Sequence, residues 1–169
     1  MAIPTPPAGW TRFLVKAKFA TVARDFAVLD PTTEQQVYYI DGKWGLGPKA
    51  EIKDASDAVI SHVRGSAMGA KRMTVTDAAG AEVATIKGKW MSVARNKMTI
   101  SMASGESWEL AGSILEKEYE VTSNGQPVVR ISQKWMTVRD QFALDIAPGV
   151  DPGIAMAIMW AVDSFAEQR

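Results

Sequence analysis

A six-residue pattern recurs along this chain: aliphatic, any residue, Gly or small, any residue, apolar or aromatic, any residue. Its copies occupy residues 15–20, 40–45, 63–68, 86–91, 110–115 and 131–136, beginning at Val15, Ile40, Val63, Ile86, Leu110 and Ile131. Each copy alone is degenerate, and the even spacing of 21 to 25 residues is what gives the pattern weight. A period this short must hold one structural unit, and the stretches between copies, such as Met73-Thr74-Val75-Thr76 and Val128-Val129-Arg130-Ile131, read as strands. Each unit is therefore two strands. Asn124-Gly125 stands where a two-residue hairpin requires positive φ, and Asp77-Ala78-Ala79-Gly80 and Asp54-Ala55-Ser56-Asp57 are looser turns of the same kind. Gly at the third position of four copies predicts a bulge or bend where a strand changes direction.

Six such units predict about twelve antiparallel strands in one domain, too many for an open twisted sheet and therefore closed into a barrel. A propeller blade needs four strands and about 40 residues, so this period is too short for one. Closure creates a problem of volume. Eight strands enclose a space that their own side chains fill, whereas about twelve leave a lumen that something must occupy.

The C-terminal segment supplies the filler. Asp151-Pro152 is a helix start, with Asp as N-cap and Pro at the first helical position, and from Ile154 to Phe165 apolar residues point in almost every direction around the axis. A helix apolar all round is buried or in lipid. The most apolar run, residues 154–162, is only about 14 Å long as a helix against a bilayer core of about 30 Å, so it cannot cross a membrane alone. The expected fold is mainly β: a closed antiparallel barrel of about twelve strands, residues 10–169, around a buried apolar helix at about 152–166. Residues 1–9, with Pro4, Pro6 and Pro7, read as an extended lead-in and lack the basic and apolar segments of a secretory signal.

Composition limits the chemistry. The chain has 169 residues and equal numbers of basic and acidic side chains, 19 each, so no whole-molecule field draws it to nucleic acid or to an anionic surface. Any such attraction must be local. No Cys and a single His, His62, leave no disulfide, no thiolate chemistry and no Cys/His metal site, and no cofactor is expected. A metal role for His62 would need carboxylates that the sequence does not place beside it, and a structural histidine is the better account. Gly45-Leu46-Gly47 lacks the rest of a nucleotide fingerprint, and there is no Gly-x-Ser-x-Gly elbow, so no catalytic set can be assembled and the chain is not expected to be an enzyme.

The best ligand candidates are Lys71, Arg72, Lys87 and Lys89, which a hairpin turning at 77–80 brings into one anionic-ligand patch. Ordinary solvated charge is the plainer account, because charged residues are mostly exposed whatever their role and the matching hairpin carries Glu118 and Glu120. Trp44, Trp90 and Trp135 recur at one motif position, which favours a packing role over a stacking platform. Their Lys neighbours, Lys43, Lys89 and Lys134, are expected to cover them with aliphatic stems. Asp25, Asn96 and Asp140, each after an Arg, read as turn chemistry.

The run Tyr38-Tyr39-Ile40-Asp41-Gly42-Lys43-Trp44, the Lys-Trp-Met segments at 89–91 and 134–136, and Asp145-Ile146-Ala147-Pro148-Gly149 before an apolar helix resemble the LURP-one-related family. That family belongs to the Tubby C-terminal-like superfamily, which includes the phospholipid scramblases. The resemblance implies a twelve-stranded barrel around a central helix and a non-enzymatic binding domain, cytoplasmic and at most peripheral to the membrane. Its implied partners are an anionic phospholipid or an unidentified protein, with a protein-interaction or structural domain as the alternative function. No Tubby lipid-binding motif and no EF-hand loop can be matched residue by residue.

Overall fold

A computed structural model describes residues 5–18, 25–43, 45–65, 72–89, 97–114, 116–133 and 140–167, with the backbone alone for 88, 89, 97, 166 and 167. Twelve strands and one helix follow one another: β1 Thr11–Lys18, β2 Asp25–Leu29, β3 Gln36–Lys43, β4 Lys49–Asp54, β5 Val59–Gly65, β6 Arg72–Asp77, β7 Glu82–Lys89, β8 Lys97–Met102, β9 Ser107–Ser113, β10 Glu118–Ser123, β11 Gln126–Ser132, β12 Gln141–Ile146 and α1 Pro152–Glu167. Every strand pairs antiparallel with its chain neighbours, and β1 pairs with β12 to close the barrel.

The repeat has a direct structural meaning. Each copy begins within an odd-numbered strand, and its first residue, Val15, Ile40, Val63, Ile86, Leu110 or Ile131, is buried in the interior. Side chains alternate across a strand, so in a regular strand the third position shares the face of the first, as buried Gly42 does with Ile40. The expected bulge at the motif glycines is corrected here. Gly42 and Gly65 pair in regular register with Ala50 and Met73, and the register shifts fall instead at Val28/Leu29, Ile52/Lys53, Val75/Thr76 and Val121/Thr122, beside the short turns. The glycines answer to close approach: a Cβ on Gly112, whose φ is +126°, would stand 2.5 Å from the Glu118 carbonyl oxygen.

The connections at the two ends differ. Those at one end are short, and an Asp carboxylate organises three of them. Asp30 accepts from the N–H groups of Thr32 and Thr33, Asp54 from Ser56 and Ala58, and Asp77 from Ala79 and Ala81. Asn124 and Gly125 have φ of 51° and 79°, the positive pair expected of their hairpin. Residues 45–48, between β3 and β4, lie at the other end.

Helix α1 fills the lumen. Its N-cap is Asp151, whose Oδ1 accepts from Gly153 N at 2.7 Å and Ile154 N at 3.3 Å. Ser61 Oγ donates to the Gly153 carbonyl at 3.0 Å, and at the far end the Lys117 ammonium meets Asp163 at 2.6 Å. Between these ties Met156, Ile158, Met159, Trp160, Val162 and Phe165 are buried, and the helix packs most closely against β4–β7. The seam where β1 meets β12 is tied from outside by Arg12, whose guanidinium makes two hydrogen bonds of 2.7 and 2.9 Å to the buried carboxylate of Asp145.

Asp25, expected in a turn, is instead the first residue of β2 and buried. Its carboxylate accepts from the Tyr39 hydroxyl at 2.7 Å and the Gly42 N–H at 2.8 Å, because β3 brings both against it. Asp140 does lie in a turn, and Asn96 is outside the described residues. Burial first, then the hydrogen bond to Asp25, pushes the Tyr39 phenol up to about 12. A raised phenol stabilises the folded state fully below its unfolded value of about 10, and that contribution is lost as pH rises through about 12. Between these values wild type is expected to lose more stability than Tyr39→Phe in urea titrations, whereas parallel pH profiles for the two proteins would show that Tyr39 makes no linked contribution.

Candidate functional site

The outer wall of β3–β7 gathers the basic side chains. Inward Ala50, Ile52, Ser61, Val63, Met73 and Val75 fix the register, which leaves Lys49, Glu51, His62, Arg64, Arg72 and Thr74 on the outer face. Pairing then places Lys43 opposite Lys49, Lys49 opposite Arg64, and Arg72 opposite Lys87. Arg64 faces Thr74, two residues from Arg72 on the same face, so the five cations form a continuous band. Crossing five strands at their usual spacing, the band is about 19 Å wide.

A groove of about 830 Å³ runs beside its first part, lined by Lys43, Lys49, Glu51, His62, Arg64 and Thr74 among others. His62, whose face alternation left open, points outward into this groove, half-buried and opposite Glu51 and Thr76. Among the described residues, only one end of the band is neutralised. The Lys43 ammonium lies 2.8 Å from Asp41 and 3.3 Å from Glu51, and Lys53 shares Asp41 at 3.1 Å. These two ammonium groups hold the Asp41 carboxyl below its ordinary range against the opposing effect of burial, and their own values are raised in return. Among the described residues no carboxylate forms an ion pair with Lys49, Arg64, Arg72 or Lys87. Like charges set directly opposite on neighbouring strands are destabilising without a counter-anion. The band can therefore bind an anion by charge-assisted hydrogen bonds, with the Arg64 and Arg72 guanidinium forks suited to phosphate oxygens.

Of the residues singled out from sequence, Arg72 and Lys87 are brought together and exposed. Lys71 and the side chain of Lys89 lie outside the described residues, as do Trp44, Trp90, Trp135 and Lys134. Lys49 and Arg64 were missed because each sits in a different hairpin from Arg72 and Lys87, and only β4–β5–β6 register makes them neighbours. Among the described residues no three His, Cys, Asp or Glu side chains cluster to hold a metal.

This geometry can be set beside known proteins. The model of the LURP-one-related family matches residues 11–163, almost the whole barrel and most of its helix. The chain belongs to the LURP-one-related family. Within 150 aligned residues this LURP-one-related chain is 24% identical to the uncharacterized protein YxjI of Bacillus subtilis (strain 168), covering 88% of this chain and 90% of that one. The X-ray structure of a protein from Arabidopsis thaliana superposes with a TM-score of 0.66 at 15% identity, over 94% of this chain and 93% of the other, and so shares its fold. No helix among the described residues is long and apolar enough to cross a membrane.

Proposed function

We propose that this LURP-one-related chain is a non-enzymatic binding domain that recognises phospholipid headgroups at the cytoplasmic membrane surface. The observation that carries the reading is the cationic band Lys43–Lys49–Arg64–Arg72–Lys87, in which four members have no carboxylate partner among the described residues. A phosphorylated headgroup would supply the missing counter-charge, and each Lys or Arg near an anionic bilayer contributes about 1 kcal/mol. Family membership supports a domain without catalysis.

Co-sedimentation with phosphatidylcholine vesicles, with and without phosphoinositide, at low and physiological salt tests this reading. Binding is expected only to the anionic vesicles and falls with salt, since charges more than about 8 Å apart are screened at physiological ionic strength. Reversing two unpaired cations, Lys49→Glu with Arg64→Glu, is expected to weaken binding at least about tenfold with the melting temperature retained. Equal binding to neutral and anionic vesicles, or none, would overturn the lipid reading and direct the search to a protein partner.

A further inference from the structure

The band lies close to the end of the barrel where residues 45–48 lie, and that end also carries the large apolar side chain of greatest exposure among the described residues. Leu46 is 91% exposed, and it is the exposed large hydrophobic side chain among the described residues. A single exposed Leu is ordinary on a protein surface. Three observations set this one apart.

First, Leu46 stands in the connection between Lys43 and Lys49, so cations flank it on both sides. Second, the base of that connection is pinned. The Pro48 carbonyl accepts from the Gly65 N–H at 2.7 Å, the Pro48 ring occupies the space that a Gly65 Cβ would take, 2.7 Å from Cγ, and the Lys49 stem passes 2.9 Å from where a Gly45 Cβ would be. The projection of Leu46 into solvent is therefore built into the loop. Third, the opposite end of the barrel is acidic. Its connections, residues 30–35, 55–58, 78–81, 103–106, 124–125 and 147–151, contain Asp30, Glu34, Asp57, Glu106 and Asp151 and no Lys or Arg. An anionic surface repels that end and attracts the other.

We infer that the barrel meets an anionic bilayer by its β3–β7 face at the end where Leu46 projects, with Leu46 inserted below the headgroups while Lys49, Arg64, Arg72 and Lys87 hold the phosphates. This orientation rests on the lipid reading above and adds to it a defined contact point. An apolar side chain beside a basic band suits the boundary between headgroups and acyl chains, where apolar burial and charge attraction act together.

The chain has no Cys, so a single introduced thiol can be labelled without background. Leu46→Cys and, as a control on an exposed short turn, Ser104→Cys are labelled with a polarity-sensitive nitrobenzoxadiazole dye and mixed with phosphatidylcholine vesicles containing phosphoinositide. The label at position 46 is expected to brighten several-fold and shift to the blue, and the label at 104 to stay as in water. In unlabelled protein Leu46→Asp is expected to weaken vesicle binding by more than about tenfold, the loss expected for roughly half of a Leu burial together with one added repulsive charge. Co-sedimentation with an unchanged label at 46, or with brightening at 104, would overturn the orientation and leave the lipid reading standing. No co-sedimentation of the wild-type chain would overturn both.

Discussion

A chain ending at residue 150 is expected not to fold. Deleting residues 151–169 removes the helix that fills the lumen, and the inward side chains of the strands would then line an open space. The helix side chains Met156, Ile158, Met159, Trp160, Val162 and Phe165 are buried, and at about 1.5–3 kcal/mol each their burial amounts to roughly 9–18 kcal/mol as an upper bound. Net stabilities of domains are about 5–15 kcal/mol, so losing this term exceeds the margin even before the exposed wall is counted. Circular dichroism and a thermal melt of the truncated chain check this. Native-like strand content with a cooperative transition would mean that the barrel closes without its plug.

The second large effect is a carboxylate placed inside that plug. Met156 is completely buried in the hydrophobic core, and Met156→Asp would put a charge among apolar side chains. The expected loss is about 3–5 kcal/mol, the cost of an uncompensated buried charge together with the cavity left by the shorter side chain. Its pH dependence follows from the same burial. The new carboxyl is favoured neutral in the fold, so the penalty is smallest below its unfolded value of about 3.9 and grows as pH rises. Met156→Leu keeps volume and polarity and is expected to cost less than about 1.5 kcal/mol. Urea denaturation of the two variants separates charge from shape, and an Asp variant as stable as wild type would place position 156 in solvent.

These two results test what was most legible in the sequence. The barrel could be read from Val15, Ile40, Val63, Ile86, Leu110 and Ile131 because one packing requirement, an inward aliphatic in each odd strand, recurs at nearly fixed spacing. The helix could be read because its apolar residues go all the way round, which no surface helix needs. Turn chemistry is local, so Asn124-Gly125 and the Asp-led turns were legible from a few residues. Readings that depended on what lies across the sheet fared differently. At Gly112 close backbone approach replaced the expected bulge, and Asp25 became a buried acceptor for Tyr39 and Gly42, because the neighbouring strand decides what surrounds each of them.

The candidate site divides along the same line. Arg72 and Lys87 belong to one hairpin, so a turn at 77–80 is enough to pair them on paper. Lys43, Lys49 and Arg64 join them only through the registers of three further strand pairs, and a slip of one residue in any of them would turn those side chains to the other face. The sequence by itself determined the barrel, its plug and the local turns, since these follow from periodicity, burial and short-range backbone chemistry. Only the tertiary structure decided which charges became neighbours and which end of the barrel carries Leu46, because both depend on long-range register and on the direction in which each strand runs.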